Sequence, residues 1–401
     1  MTTAHDRIGL LLTGGGARAA YQVGVLKAVA QLAPAGSACP FRVISGTSAG
    51  GVAAVALASR MSDFHAAVAG LEQVWANFRV SQVFRADAVS MLRAGLHWLL
   101  SFVSSGLLLP PPKSLLDNTP LRELLSRSLS FRGIRRSIDQ GRLHSLAICA
   151  TGFSTGRSIA FFDGAREIPE WSRAATSGQR ARLTLEHLMA SLSIPFLFPP
   201  VHLQGEYFGD GAMRQSHPLS PVLHLGANRV LIIGVRQEGI RGALGRMPEG
   251  VAPTAGQIFG YMLDTLFMDQ IYADLEHLER LNELLRQAPA PMPGLQVVRA
   301  LVIAPSRDPR EITARHTPEL PRPVRALLRT MGAAASTASS LSSYLMFEAG
   351  YTRELIELGF IDAMARRDEL LELIFSTPTE AASGPPAVRE LLTEDGERIP
   401  A

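Results

Sequence analysis

Two glycine-rich turns within the first 50 residues constrain this chain more than any other feature. Each closes a short apolar run and opens a helical pattern. Ile8 to Thr13 (IGLLLT) runs into Gly14-Gly15-Gly16 and then a helix from Arg18 to about Leu32. Phe41 to Ser45 (FRVIS) is closed by Gly46 and followed by a helix of small residues from Ser48 to Ser59. Apolar runs that alternate with helices make βαβ units, whose strands lie parallel and are buried on both faces. Leu146 to Thr151, Val230 to Val235 and Val297 to Ala304 are further strand candidates of the same kind. The chain therefore reads as α/β, with a parallel sheet.

The remaining length has a different character. Asp63 to Leu125 is mainly helical, broken by Pro110-Pro111-Pro112. From Thr254 a long helix puts Phe267, Ile271, Leu275, Leu278, Leu281 and Leu285 on one face, with Asp274, Glu279 and Glu283 off it. A second helical block covers about Ala333 to Phe375, and the chain after Ser376 is rich in Pro, Gly, Thr and Glu, as in a loose tail. The organisation expected is a core over 1–250, a mainly helical region over 251–375 with one strand near 297–304, and a flexible tail over 376–401.

Composition supplies limits. Of the 401 residues 47% are hydrophobic and 19% charged, enough to bury a large core. A net charge of +3 is too mild for the clustered basic face that nucleic acid demands, so no nucleic-acid partner is expected. Cys39 and Cys149 sit in or beside strand-like runs. They make neither a disulfide framework nor a zinc spacing, which favours a reducing compartment. No signal peptide precedes the first strand, so the expected location is cytoplasmic, with peripheral membrane contact. Leu96 to Leu109, the longest apolar stretch, is too short to span a bilayer and reads as a buried helix, with a membrane-contacting lid as the alternative. Arg132, Arg135, Arg136 and Arg142 could meet anionic headgroups or simply be solvated.

Gly46-Thr47-Ser48-Ala49-Gly50 carries the strongest chemical signal. It fits a nucleophile elbow, in which a serine sits on a tight turn between a strand and a helix. Glycines are required there because the turn crowds the backbone and the hydroxyl must stay open to attack.

Gly14-Gly15-Gly16-Ala17-Arg18 admits three readings. A dinucleotide fingerprint needs an acid at the end of the second strand, and that strand ends in Ser45 and Gly46. A phosphate loop needs a following Gly-Lys-Ser/Thr, which is absent from the sequence. The third reading is an oxyanion hole whose backbone N–H groups face the intermediate formed when Ser48 attacks an ester. Neighbouring parallel strands would bring both turns to one edge of the sheet, and this coincidence favours the third.

A serine nucleophile needs a base. His217 and His224 follow Asp210 in the Ser-Asp-His order of α/β-hydrolases. That fold places several strands before its elbow, however, and here a single strand precedes the one that carries Ser48. Surface or structural roles suit both histidines better. Asp210, in Tyr207-Phe208-Gly209-Asp210-Gly211-Ala212, lies between glycines on tight backbone that can approach a hydroxyl directly. A second Asp-Gly-Ala at Asp163 follows a hairpin arm and reads as a turn residue. No metal-ligand cluster is visible in the sequence, so no metal or other cofactor is expected.

GGGAR, GTSAGG and DGA, in this order and at these separations, resemble the three motifs of the patatin-like phospholipase family. ATGFSTGR, LMASLSIPFLFPPV and SSYLMFEAGYTRELIELGFIDA are similar to segments of bacterial members, so the resemblance covers roughly residues 7 to 375. It implies a three-layer α/β/α sandwich with a mostly parallel sheet, and core residues 1–250 as the catalytic unit. It further implies a Ser–Asp dyad and hydrolysis of fatty acyl esters in phospholipids or lysophospholipids. By position Ser48 is the nucleophile, Asp210 the base, Gly46 and Gly50 the elbow glycines, and Gly14, Gly15 and Gly16 the frame of the oxyanion hole. Arg18 matches the basic residue of that loop and would help hold it. Ala19 departs from the family's usual glycine and should slightly crowd the helix start. Thioesterase or acyltransferase chemistry on the same scaffold, or an idle lipid-binding regulator, are the alternatives.

Overall fold

A computed structural model describes residues 6–104, 110–237, 252–290, 292, 295–333 and 340–376. Among them, ten strands join in one sheet. They are β1 (Ile8–Leu12), β2 (Val43–Thr47), β3 (Ser145–Gly152), β4 (Ser158–Gly164), β5 (Trp171–Ser172), β6 (Thr176–Arg180), β7 (Val201–Leu203), β8 (Glu206–Asp210), β9 (Arg229–Ile233) and β10 (Arg299–Ile303). The first helices are α1 (Ala20–Leu32), α2 (Ala49–Ser59), α3 (Phe64–Trp75), α4 (Ala88–Val103), α5 (Thr119–Ser128), α6 (Phe131–Asp139), α7 (Leu185–Ser191) and α8 (Ser220–His224). The helical C-terminal region adds α9 (Ala255–Gln287), α10 (Pro309–His316), α11 (Arg322–Thr330), α12 (Ser340–Leu345), α13 (Ala349–Ala365) and α14 (Arg367–Phe375).

The sheet order is β10-β9-β1-β2-β3-β4-β6-β5, and β10 through β3 run parallel. Every residue of β1, β2 and β3 is buried, as expected of strands covered by helices on both faces. The α/β/α sandwich with a mostly parallel sheet is therefore the fold. Pairing with Ile148 and Cys149 of β3 holds Gly46 and Thr47 in strand conformation, so β2 runs two residues beyond Ser45 and the chain turns at Ser48 itself.

One topological detail positions the site. β2 pairs with β3 only as far as Cys149, leaving that edge of β3 free over its last three residues. Antiparallel β8 fills it, with Asp210 opposite Ala150. β8 thus lies end to end with β2, and Asp210 meets the residue where β2 stops.

Several expectations need correction. Asp163 is not in a turn: it is a buried residue of β4, paired with Leu146 across the ladder and 3.5 Å from the Arg135 guanidinium. Arg135 is thereby engaged, and it also pairs with Asp139, whereas Arg132, Arg136 and Arg142 are exposed. Leu281 does not belong to the buried face of α9. It is exposed, and its neighbour Asn282 is buried instead, exchanging hydrogen bonds with the backbone of Val298 at 2.8 and 2.9 Å. Asp274, expected off that face, accepts from the Leu219 N–H at 2.8 Å. The side chain of Phe267, the boundary at 250, the tail from 377 and residues 105–109 lie outside what is described.

The largest correction concerns α4. Val89, Leu92, Leu96, Leu100 and Val103 recur at helical spacing and share one stripe. That stripe faces outward, with Leu92 73% and Val103 73% exposed, and Phe102 beside it is 85% exposed. The helix is not a core element. Among the described residues no helix is long and apolar enough to cross a membrane.

Candidate active site

The elbow is held from three sides. Ser48 has φ 53° and ψ −128°, a left-handed conformation that costs a non-glycine residue about 1–3 kcal/mol. Its N–H donates to Ser191 Oγ at 2.8 Å, and its carbonyl accepts from the Gly51 N–H at 2.9 Å. Gly50 packs against the end of β1 so closely that a Cβ there would lie 2.4 Å from the Leu12 carbonyl oxygen. The glycine is what lets the elbow lie against the end of β1. Gly46 backs onto the first turn of α2, where a Cβ would lie 2.7 Å from Gly51 Cα.

The Gly14–Gly16 loop is buried and leads into a short 3-10 turn, Gly16–Ala19, ahead of α1. Such a turn leaves its first N–H groups without intrahelical partners. Among the described residues no hydrogen bond engages the N–H of Gly15 or Gly16. Ala19 adopts ordinary helical angles, φ −64° and ψ −10°, so alanine is accommodated there without strain. Gly16 and Ser48 both line one apolar cleft, together with Trp75, Phe78, Leu121, Ile194 and Phe347. The cleft is narrow, with about 30 Å³ of free space, room for a water or two.

Asp210 completes the arrangement. It is fully buried, and its N–H donates to the Ser193 carbonyl at 2.8 Å. Oδ1 accepts from the Ala212 N–H at 3.0 Å, while Oδ2 is buried and closes no geometric hydrogen bond among the described residues. Burial pushes its pKa up to about 7, against the opposing effects of the neighbouring Ser48 hydroxyl and the Ala212 N–H. Ser48 is thus near enough to act on the carboxyl group. A Cβ on Gly211 would sit 2.2 Å from the Cys149 carbonyl oxygen, so only glycine lets this turn lie against β3.

The histidines lie elsewhere. His217 Nδ1 contacts Asp274 at 3.2 Å. His224 stacks on Trp171, with ring centroids 4.8 Å apart, and bonds the carbonyl of Ser220. Arg18 turns away from the cleft into the C-terminal helices, where it meets Asp264, Ser343 and Tyr344.

Sequence reading missed three braces. Gln22 on α1 donates to the Thr13 carbonyl at 2.8 Å and to that of Ile233 at 3.2 Å, tying the glycine loop to β9. Gln215 joins the elbow strand to the turn after Asp210: Thr47 Oγ1 donates to its Oε1 at 2.9 Å, and its Nε2 donates to Cys149 Sγ at 3.3 Å. Ser191 fixes the elbow N–H. None stands out as a motif, although Ser191 falls within the LMASLSIPFLFPPV segment.

A strained serine and a buried carboxyl group thus meet beside a glycine loop. The family model of the patatin-like phospholipases matches residues 10–223, and the chain belongs to that family. Among solved structures, human GIVD cytosolic phospholipase A2 in complex with methyl gamma-linolenyl fluorophosphonate is similar at a TM-score of 0.41 and 12% identity, over 92% of this chain and 59% of that one. A second structure of human GIVD cytosolic phospholipase A2 gives a TM-score of 0.39 and 11% identity, over 92% and 60%. The chain therefore spans about three-fifths of the length of these neighbours. Comparison with curated protein sequences finds no match.

Proposed function

We propose that the protein is a lipid acyl hydrolase of the phospholipase A or lysophospholipase type, working through a Ser48–Asp210 dyad and an acyl-enzyme. The observation that carries this reading is the buried carboxyl group of Asp210 beside the Ser48 hydroxyl at an apolar cleft. Ser48 Oγ attacks the ester carbonyl carbon while its proton passes to Asp210. The developing oxyanion is met by the N–H groups of Gly15 and Gly16, which engage no hydrogen bond among the described residues. As the intermediate collapses, the C–O bond to the alcohol breaks and the alcohol leaves with the proton from Asp210. A water then gives a proton to Asp210 and attacks the acyl-enzyme. Collapse of this second intermediate returns the proton to Ser48 and frees the fatty acid. A fluorophosphonate probe should label wild-type protein at Ser48, mapped by peptide mass, and a panel of phospholipid, lysophospholipid, triacylglycerol and acyl-thioester should show preference for the first two. Labelling elsewhere, or none, would overturn the assignment.

The base must be ionised to accept a proton, and Asp210 ionises near pH 7. The profile of kcat/KM should therefore rise about tenfold per pH unit up to about pH 7 and level off above it. An enzyme fully active at pH 5 would argue against Asp210 as the base.

The lipid surface is assigned to α4. Its outward apolar stripe springs from the cleft wall: the chain leaves after Val83 and returns before Leu121, both of which line the cleft. The two feet are tied by the Arg85 N–H to the Asp117 carbonyl and by an ion pair between the same side chains, each at 2.9 Å. Fully burying one leucine is worth about 1.5–3 kcal/mol. Leu92→Glu with Leu96→Glu should therefore weaken binding to phospholipid vesicles by at least about tenfold, while hydrolysis of a short soluble ester stays unchanged. Unaltered vesicle partition in sedimentation would place the membrane contact elsewhere.

A further inference from the structure

We propose that Asp264 is a positioning residue for the oxyanion loop, acting through Arg18, so that the C-terminal helical region completes the active site. The inference rests on the acyl-hydrolase reading above. Asp264 lies on α9, outside the stretch 10–223 that matches the family model.

Arg18 stands two residues after Gly16 in the same 3-10 turn, with its guanidinium fully buried. All of its side-chain contacts named here come from α9 and α12. Nη1 donates to Asp264 Oδ1 at 2.7 Å, Nε to Ser343 Oγ at 2.7 Å and Nη2 to the Ser340 carbonyl at 3.4 Å. The guanidinium carbon lies 4.0 Å from the centre of the Tyr344 ring. Asp264 takes three donors: Oδ1 also accepts from the Tyr344 hydroxyl at 2.9 Å, and Oδ2 accepts from the Ser340 hydroxyl. Burial opposes this carboxylate's charge, but Arg18 and the two hydroxyls outweigh it and hold its pKa below the usual range.

A second contact joins the same elements. Gly16 has φ 54° and lies against the backbone of Tyr344, where a Cβ would come within 2.4 Å of the carbonyl oxygen. Tyr344, Leu345 and Phe347 in turn line the cleft. One short segment therefore supports the glycine loop from behind and forms part of the acyl wall in front.

Oxyanion donors act through preorganisation, and slack of a fraction of an ångström in the shell behind them is costly. Arg18 does not reach the cleft, so its charge serves to orient the turn. A role in stability alone is the competing explanation. A buried ion pair is a poor stabiliser compared with apolar side chains of similar volume, and this contrast separates the two roles.

The test uses the full chain with Arg18→Met and Asp264→Leu combined, so that neither charge is left alone. If the pair positions the loop, the double variant keeps its thermal midpoint within a few degrees. Its kcat on a short p-nitrophenyl ester falls about tenfold or more, with KM within about threefold, and fluorophosphonate labelling of Ser48 slows in parallel. A stable double variant with wild-type kcat overturns the proposal. Should the double variant not fold, Ser340→Ala with Ser343→Ala decides, because it keeps both charges and removes only their orienting hydroxyls. Its kcat should fall by about threefold or more at unchanged KM, and an unchanged kcat again overturns the inference. Wild-type protein that the probe does not label at Ser48 would instead remove the acyl-hydrolase reading on which this rests.

Discussion

Ser48→Ala is expected to lose ester hydrolysis by at least about 10³-fold and to lose fluorophosphonate labelling altogether, since no other group takes over the covalent step. Its fold should survive. The Ser48 N–H bond to Ser191 and the carbonyl bond to Gly51 belong to the backbone and persist in the variant. Ser48→Gly makes the same chemical deletion but also relieves the φ of 53°. Glycine's larger loss of chain entropy on folding offsets part of that relief. The glycine variant should therefore be as inactive as the alanine variant and melt at or above its temperature. The measurement is kcat on one ester beside a thermal melt of each variant. Substantial turnover by a folded Ser48→Ala protein would show that the nucleophile is another residue.

What could be read in the sequence, and what could not, follows from the range of the forces involved. β1, β2 and their glycine turns were legible because strand, turn and helix lie within about 20 residues of one another, and burial on both faces writes a continuous apolar run. β8 leaves no such trace. Glu206–Asp210 is short and half polar, and it is a strand because β3 offers it a free edge. Asp210 could be chosen only through its glycines and the family resemblance. The Arg18–Asp264 pair spans 246 residues and has no periodic signature at all. α4 misled for a different reason. Apolar composition predicts burial, but the chain spends that composition on an outward face, and this departure from the burial rule is what motivates the lipid-surface proposal. Asn282 reverses the same rule in α9, where a polar side chain is buried because the Val298 backbone needs both of its groups.

Asp210→Asn should reduce turnover at least about a hundredfold, as expected for a lost general base, whereas Asp163→Asn should stay within about tenfold of wild type. The two Asp-Gly-Ala copies flank the same strand at opposite ends. Asp163 pairs with Leu146 near the start of β3, and Asp210 pairs with Ala150, one residue beyond the Thr47–Cys149 pair that ends β2. Four residues of strand put about 13 Å between the two positions, so one carboxyl group reaches the elbow and the other does not. Stability should separate them as well. Burial raises the pKa of Asp210 to about 7 from an unfolded value of about 3.9. Below about pH 4 the group is protonated folded or unfolded. Between about pH 4 and 7 the unfolded chain gives up the proton and the folded one keeps it, so wild-type stability falls by up to about 4 kcal/mol and then levels off. Asparagine has no proton to lose and escapes this. Asp210→Asn should thus match wild type near pH 4 and melt above it at pH 8, an inactive protein more stable than the active one. Burial also raises the pKa of Asp163, with Arg135 opposing it, so its replacement should gain stability in the same direction but by less. Thermal melts at both pH values, with kcat on one ester substrate, test the whole assignment. An Asp210→Asn protein that keeps its activity would mean that Asp210 is not the base, and one that gains no stability at pH 8 would mean that burial does not raise its pKa.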